Sequence, residues 1–153
     1  MLSGCQSIPA SQPAPEPLVA RLFLETKPGE AGVAAQLPQS GVVINVAPKP
    51  VFVEYDIANA EVAQVELGHC LMLQLTPAAA RDLYRLSVAA NGRRLVLALN
   101  DAFLGARRIE SALTDGVVLV FVESPDDQLP GLVERIKRTS ADLAAAAQKA
   151  KTD

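Results

Sequence analysis

Residues Ala60 to Ser87 read AEVAQVELGHCLMLQLTPAAARDLYRLS, and this stretch decides the fold. Val62, Val65 and Leu67 precede Gly68-His69, and Leu71, Leu73 and Leu75 follow it. Apolar residues spaced this way on either side of a glycine predict two strands joined by a tight turn at Gly68-His69, the glycine supplying the backbone freedom. In the second strand Leu71, Leu73 and Leu75 share one face, while Cys70, Met72 and Gln74 share the other. Thr76 stands where a helix N-cap belongs and Pro77 at the first helical position, where a missing N–H costs nothing. Ala79, Leu83, Leu86 and Ala90 then recur at intervals of three and four, forming one apolar stripe. Asn91-Gly92 supplies the left-handed stop.

The pattern continues on both sides. Leu18 to Glu25 predicts a first strand with Leu18, Ala20, Leu22 and Leu24 on one face. Thr26 to Gly41, rich in Gly and Pro, predicts a long loop, and Val42 to Val46 a short strand halted by Pro48 and Pro50. Downstream, Leu95, Leu97 and Leu99 align on one face, and Asn100-Asp101 predicts a hairpin turn into Phe103 to Glu110. Val117 to Val122 is apolar throughout, which predicts a central strand covered on much of both faces. Asp126 and Asp127 open a second helix where the helix dipole favours negative charge. Pro130 is tolerated in its first turn, and Leu129, Leu132, Val133 and Ile136 make its buried stripe. These elements predict an α+β fold, ferredoxin-like, with a mostly antiparallel sheet and two amphipathic helices packed on one face.

The chain has 153 residues, enough for one domain with a core. No apolar run approaches the roughly 18 residues that would cross a bilayer. A net charge of −3 argues against nucleic acid, which selects a dominant basic face. Aromatic residues make up only 4% and Trp is absent, so stacking platforms for bases are not expected.

At the N-terminus, Leu2-Ser3-Gly4-Cys5 resembles the lipobox of bacterial lipoproteins, in which the cysteine becomes the lipidated first residue. The charged and apolar leader of such a signal is then expected upstream of Met1. Gln6 in the place of an Asp implies, by the same resemblance, an outer-membrane destination facing the periplasm. The Pro-rich segment 6–17, QSIPASQPAPEP, predicts an extended tether. The expected organisation is therefore 1–17 as lipobox remnant and tether, 18–140 as a single α+β domain, and 141–153 as an Ala/Lys-rich helical or frayed tail.

From about Pro48 to Lys137 the order of motifs resembles the head of the first periplasmic domain of SecD, a subunit of the bacterial protein-export apparatus. The resemblance rests on Pro48-Lys49-Pro50-Val51, on Asp56-Ile57-Ala58-Asn59-Ala60, on Leu73 to Leu83 (LQLTPAAARDL) and on Gly92 to Leu99 (GRRLVLAL). The family's Asp-Gly turn is Asn100-Asp101 here, its Ser-Ala-Pro is Gly105-Ala106-Arg107, and its membrane helices have no counterpart. The resemblance implies the head fold and a role in contacting exported polypeptide, without motor activity.

Few residues carry chemistry. His69 is the one histidine, and neither a nucleophile elbow nor zinc-ligand spacing accompanies it, so no catalytic residue, metal or cofactor is expected. Cys70 on a strand reads as a small buried hydrophobe. Arg93-Arg94 and Arg107-Arg108 are the remaining feature. A two-residue turn at Asn100-Asp101 sets Leu99 opposite Ala102 and Arg94 opposite Arg107, and like charges facing each other need compensation. Glu54, Glu66, Glu110 and Glu123 are the candidate partners; the sharper expectation is an anion- or partner-binding patch of Arg93, Arg94, Arg107 and Arg108. The sequence thus points to a non-enzymatic, lipid-anchored envelope domain that binds polypeptide or a partner of an envelope or export complex. A sheet edge, the strand from Leu18 or that from Val42, would accept an extended segment. The alternative is a small-ligand- or lipid-binding lipoprotein with a cavity between sheet and helices.

Overall fold

The hairpin–helix unit lies at one end of a six-stranded sheet. The computed structural model describes residues 17–152. In chain order these form β1 (Ala20–Leu24), β2 (Val33–Gln36), β3 (Val43–Val46), β4 (Ile57–Val65), β5 (Gly68–Leu75) and α1 (Pro77–Ala89), then β6 (Arg94–Leu99), β7 (Ala102–Arg108), β8 (Val117–Val122) and α2 (Leu129–Thr152). Short 3-10 turns at Glu54–Asp56 and Asp126–Gln128 precede β4 and α2. The main sheet has the order β1-β6-β7-β8-β5-β4, and every pairing in it is antiparallel. The Cys5 lipidation and the segment 6–16 lie outside the described residues.

Burial follows the predicted alternation. Leu22, Leu71, Leu73, Leu95 and Leu97 are fully buried on one face, with Leu83 of α1 and Leu129 and Ile136 of α2 packed against them. Each such side chain contributes roughly 1.5–3 kcal/mol of apolar burial. Both helices therefore cover one face, as expected. Thr76 Oγ1 accepts the Ala79 N–H at 3.3 Å, and Gly92, at φ +91°, ends the α1 turn.

Four details differ from the sequence reading. Val65 pairs with Gly68, so the turn is Glu66-Leu67 and His69 lies within β5 opposite Gln64. Gly68, at φ +124°, closes the turn instead of occupying its middle, which leaves Leu67 85% exposed at the tip. The long loop contains β2, which pairs with β3 into a hairpin lying on the second face of the sheet. Ala35, Ile44 and Val46 of that hairpin pack on Val96, Phe23 and Phe103. Only part of the second face is covered in this way, so β8 does alternate: Val118 and Val120 are buried, while Val117, Leu119 and Phe121 are half-buried.

The fourth difference is register. Leu99 does oppose Ala102, and Asn100 and Asp101 take positive φ (53° and 74°), as a tight hairpin with right-handed strand twist demands. A bulge at Leu104 then shifts the pairing, so Arg94 faces Arg108 and Leu95 faces Arg107. Beyond the bulge Gly105 comes so close to β8 that a Cβ there would run into the Phe121 carbonyl oxygen. The β7–β8 pairing covers just two residue pairs, and the sheet curls at this point.

Candidate functional site

β4 ends the sheet; its outer side is buried at Ala60 and open from Val62 onward. The Leu75 N–H donates to the Gly116 carbonyl at 2.9 Å, away from β4. Alternation along β5 then directs Gln74, Met72, Cys70 and Gly68 toward β4, where they meet Asn59, Glu61, Ala63 and Val65. The residues between, Ala60, Val62 and Gln64, turn their backbone N–H and C=O groups outward. Among the described residues no segment is hydrogen-bonded to them.

The edges expected from sequence are occupied. Leu22 of β1 exchanges bonds with the 51–52 segment (Leu22 N to Phe52 O, 2.9 Å; Val51 N to Leu22 O, 2.8 Å), and the Ala47 N–H donates to Leu24 O. β3 has β2 on one side, and on the other its Asn45 carbonyl accepts the Thr26 N–H at 2.9 Å. In the six-stranded sheet the open edge is instead the first strand of the organising hairpin.

Beside the start of β4 runs a groove of about 630 Å³ whose far wall is the C-terminal half of α2. At 1.5 Å per residue the 24-residue α2 is about 36 Å long, and its buried positions end at Thr139. The remainder overhangs the body, presenting Ala141, Leu143, Ala144 and Ala147 across the groove from Tyr55 and Ile57, with Lys137 at the margin. Small residues keep the groove open and apolar. An extended peptide paired with β4 would find backbone partners on one side and this apolar wall on the other.

The arginines are divided between the two faces. Arg94 and Arg108, opposite each other, lie on the face that carries the β2–β3 hairpin, whereas Arg107 opposes the core residue Leu95. The compensating acid is Glu25, which sequence reasoning missed because it is 69 positions from Arg94. Its carboxylate accepts Arg94 N (2.9 Å), Nε (3.1 Å) and Nη2 (2.8 Å). These bonds hold the Glu25 carboxyl below its usual range, against the opposing pull of partial burial. Of the expected partners, Glu54 instead takes Arg21, at 2.8 Å and 3.1 Å. Glu123 accepts the Gln39 N–H and the Ser40 N–H and hydroxyl, tying the β2–β3 turn to the end of β8.

Cys70 is fully buried, and burial pushes its thiol up against the opposing influence of Arg107. His69 Nδ1 lies 2.9 Å from Asp126 Oδ2, a link between β5 and the 3-10 turn that starts the second helix. Among the described residues no group of three or more His, Cys, Asp or Glu could hold a metal. A further cleft of about 580 Å³ lies between the β2–β3 hairpin and the second sheet face, floored by the edge-on pair Phe23 and Phe103. Between sheet and helices the core side chains pack into one cluster, and the 630 Å³ groove lies at its β4–α2 margin.

No family model and no curated protein matches the chain. Solved structures do. One, of the membrane component SecDF that enhances protein export, superimposes with a TM-score of 0.61 at 18% identity, over 79% of this chain and 62% of that one. The fold is SecD-like. SecDF in a super-membrane-facing form gives a TM-score of 0.62 at 18% identity, over 78% of this chain and 18% of its own. SecDF from Thermus thermophilus, a translocon-associated membrane protein, gives 0.54 at 18% identity, over 82% of this chain and 20% of its own. The SecD-like chain thus spans less than two thirds of each of these proteins. Among its described residues no helix is long and apolar enough to cross a membrane.

Proposed function

We propose that this chain is a non-enzymatic domain of a protein-export or envelope complex that binds extended polypeptide by strand addition to β4. The observation that carries this reading is the β4 edge, open from Val62 onward, beside an apolar groove: outward N–H and C=O groups at Val62 and Gln64 complement an extended backbone. The likeness to SecDF, which enhances protein export, supports it. Residues 18–140 form the binding body in this reading, and the tail from 141 onward contributes the overhanging wall. Hydrogen exchange tests it. Adding an unfolded secretory polypeptide should slow exchange at the Val62 and Gln64 amides, and unchanged exchange there would reject it.

The domain works on a tether. Cys5 carries the lipid, the Pro-rich segment 6–17 spaces the body from the bilayer, and Gln6 directs the protein to the outer membrane, facing the periplasm. Cells given the gene with its upstream sequence should incorporate labelled palmitate into the protein and lose that label in Cys5→Ala. Labelling that persists in the variant would reject the anchor.

A small-ligand reading draws on the Phe23–Phe103 cleft, whose 580 Å³ falls in the ordinary ligand range of roughly 300–1,000 Å³. A co-purifying apolar molecule released on denaturation would favour it over peptide capture.

A further inference from the structure

The end of the sheet away from Pro17 gathers charge in a way that its own ion pairs do not use up. A groove of about 440 Å³ there is lined by Lys27, Arg93 and Arg108 on one count and by Glu25 and Glu30 on the other. Glu25 is spent on Arg94, as described. Glu30 turns Oε1 to the Lys27 backbone N–H at 2.6 Å, capping a turn of the chain instead of the lysine ammonium. The ion pairs among the described residues leave out Lys27, Arg93 and Arg108 altogether. A protein of net charge −3 thus concentrates three cations without a salt-bridged carboxylate in one concavity, although Arg108 lies within Coulombic reach of Glu25.

Two of the three are held in place. Arg93 Nε donates to the Glu25 carbonyl at 2.8 Å, and Arg108 Nη1 donates to the Gly92 carbonyl at 2.6 Å. Each guanidinium is therefore anchored through one N–H to a neutral backbone acceptor, which orients it without cancelling its charge. The remaining N–H groups stay available, and part of the ordering cost that a ligand would otherwise impose has already been met. Gly29 and Gly92 also line the groove, and a Cβ at either would meet nothing within 4 Å.

We propose that this groove binds a phosphate group, monoester or diester, with Arg93 and Arg108 as donors to its oxygens and Lys27 as a point charge. Guanidinium forks match phosphate geometry, and the ammonium adds attraction without directional demand. The sequence-level patch is revised accordingly: Lys27 joins it, Arg94 is neutralised by Glu25, and Arg107 lies on the other face. The same chemistry is offered by a phospholipid headgroup and by a soluble phosphate ester. A tethered envelope domain meets both.

The test titrates the folded chain with glycerol phosphate by calorimetry, and separately with phosphatidylcholine vesicles with and without phosphatidylglycerol by co-sedimentation. The double variant Arg93→Gln/Arg108→Gln should weaken binding at least about tenfold, with Lys27→Gln weakening it less. Arg107→Gln, which keeps the same net-charge change as one groove arginine, should bind as the unsubstituted chain does. Thermal unfolding of each variant separates lost binding from lost folding, and Lys27→Gln, with its head group unpaired, serves if the double variant unfolds. Binding to anionic vesicles alone assigns the headgroup source, and binding to glycerol phosphate alone the soluble one. Equal losses in Arg107→Gln, or no binding of either probe, overturn the proposal.

Discussion

Replacing Glu25 by Gln is the sharpest probe of how the β1 end of the sheet is held. The carboxylate accepts three bonds from Arg94, one from the backbone N–H and two from the guanidinium. A glutamine can keep its oxygen on the Arg94 N–H and Nε, but its NH2 must then face Nη2, donor against donor. The Nη2 contact is lost, the Nε contact keeps only a neutral acceptor, and Arg94, 28% exposed, keeps a charge with no counter-ion. Bonds to charged groups contribute about 1.5–3 kcal/mol each when buried, and solvent at this partly exposed pair screens some of that. The expected loss is about 2 kcal/mol, read from urea unfolding by linear extrapolation. Adding Arg94→Met should recover part of it, because the stranded cation is the main cost. A loss below about 0.5 kcal/mol, the range of an ordinary surface pair, would refute the reasoning.

Acid should act through the same groups. Glu25, Glu54 and Glu123 all have folded pKa values below their ordinary ones: Glu25 through Arg94, Glu54 through Arg21, and Glu123 through the Ser40 and Gln39 donors that outweigh its desolvation. Their stabilisation is present above the unfolded carboxylate pKa of about 4.3 and is lost as pH falls through the folded values. Urea midpoints should therefore drop steeply below about pH 4.5, and less steeply in Glu25→Gln; identical slopes would contradict the assignment. Gly105→Ala should destabilise by about 1–3 kcal/mol through the collision with the Phe121 carbonyl. Unchanged stability would mean that β8 can move away from the bulge.

How much of this was legible depends on how local each signal is. Thr76-Pro77, the Leu83 stripe and Gly92 are adjacent cues acting within one turn, and the helix forms where they put it. The Leu71–Leu73–Leu75 alternation is likewise local. Register is different. The Arg94–Arg108 pairing depends on the bulge at Leu104, and nothing in FLGAR announces that a residue will be extruded there. β2 escaped notice because VAAQ is four residues long between glycine and proline, and only its docking on Phe23 and Phe103 makes it a strand. Glu25 and Lys27 entered the arginine cluster from a distant part of the chain, so their role required the folded sheet. The open edge followed from strand order, which sequence pattern alone leaves undetermined.

The claim on which the functional reading stands is that β4 pairs with an incoming chain through its outward backbone groups. Gln64 is exposed and its N–H points away from β5, so Gln64→Pro removes one outward donor and leaves the β4–β5 ladder complete. With one backbone bond lost and a ring at the edge, affinity for an unfolded secretory polypeptide should fall by about 1–2 kcal/mol, roughly 5- to 30-fold. The measurement is fluorescence anisotropy of a labelled polypeptide against the unsubstituted chain and Gln64→Pro, with equal unfolding midpoints required of both. A drop in that range is the predicted result; undiminished binding by Gln64→Pro would contradict strand addition at β4.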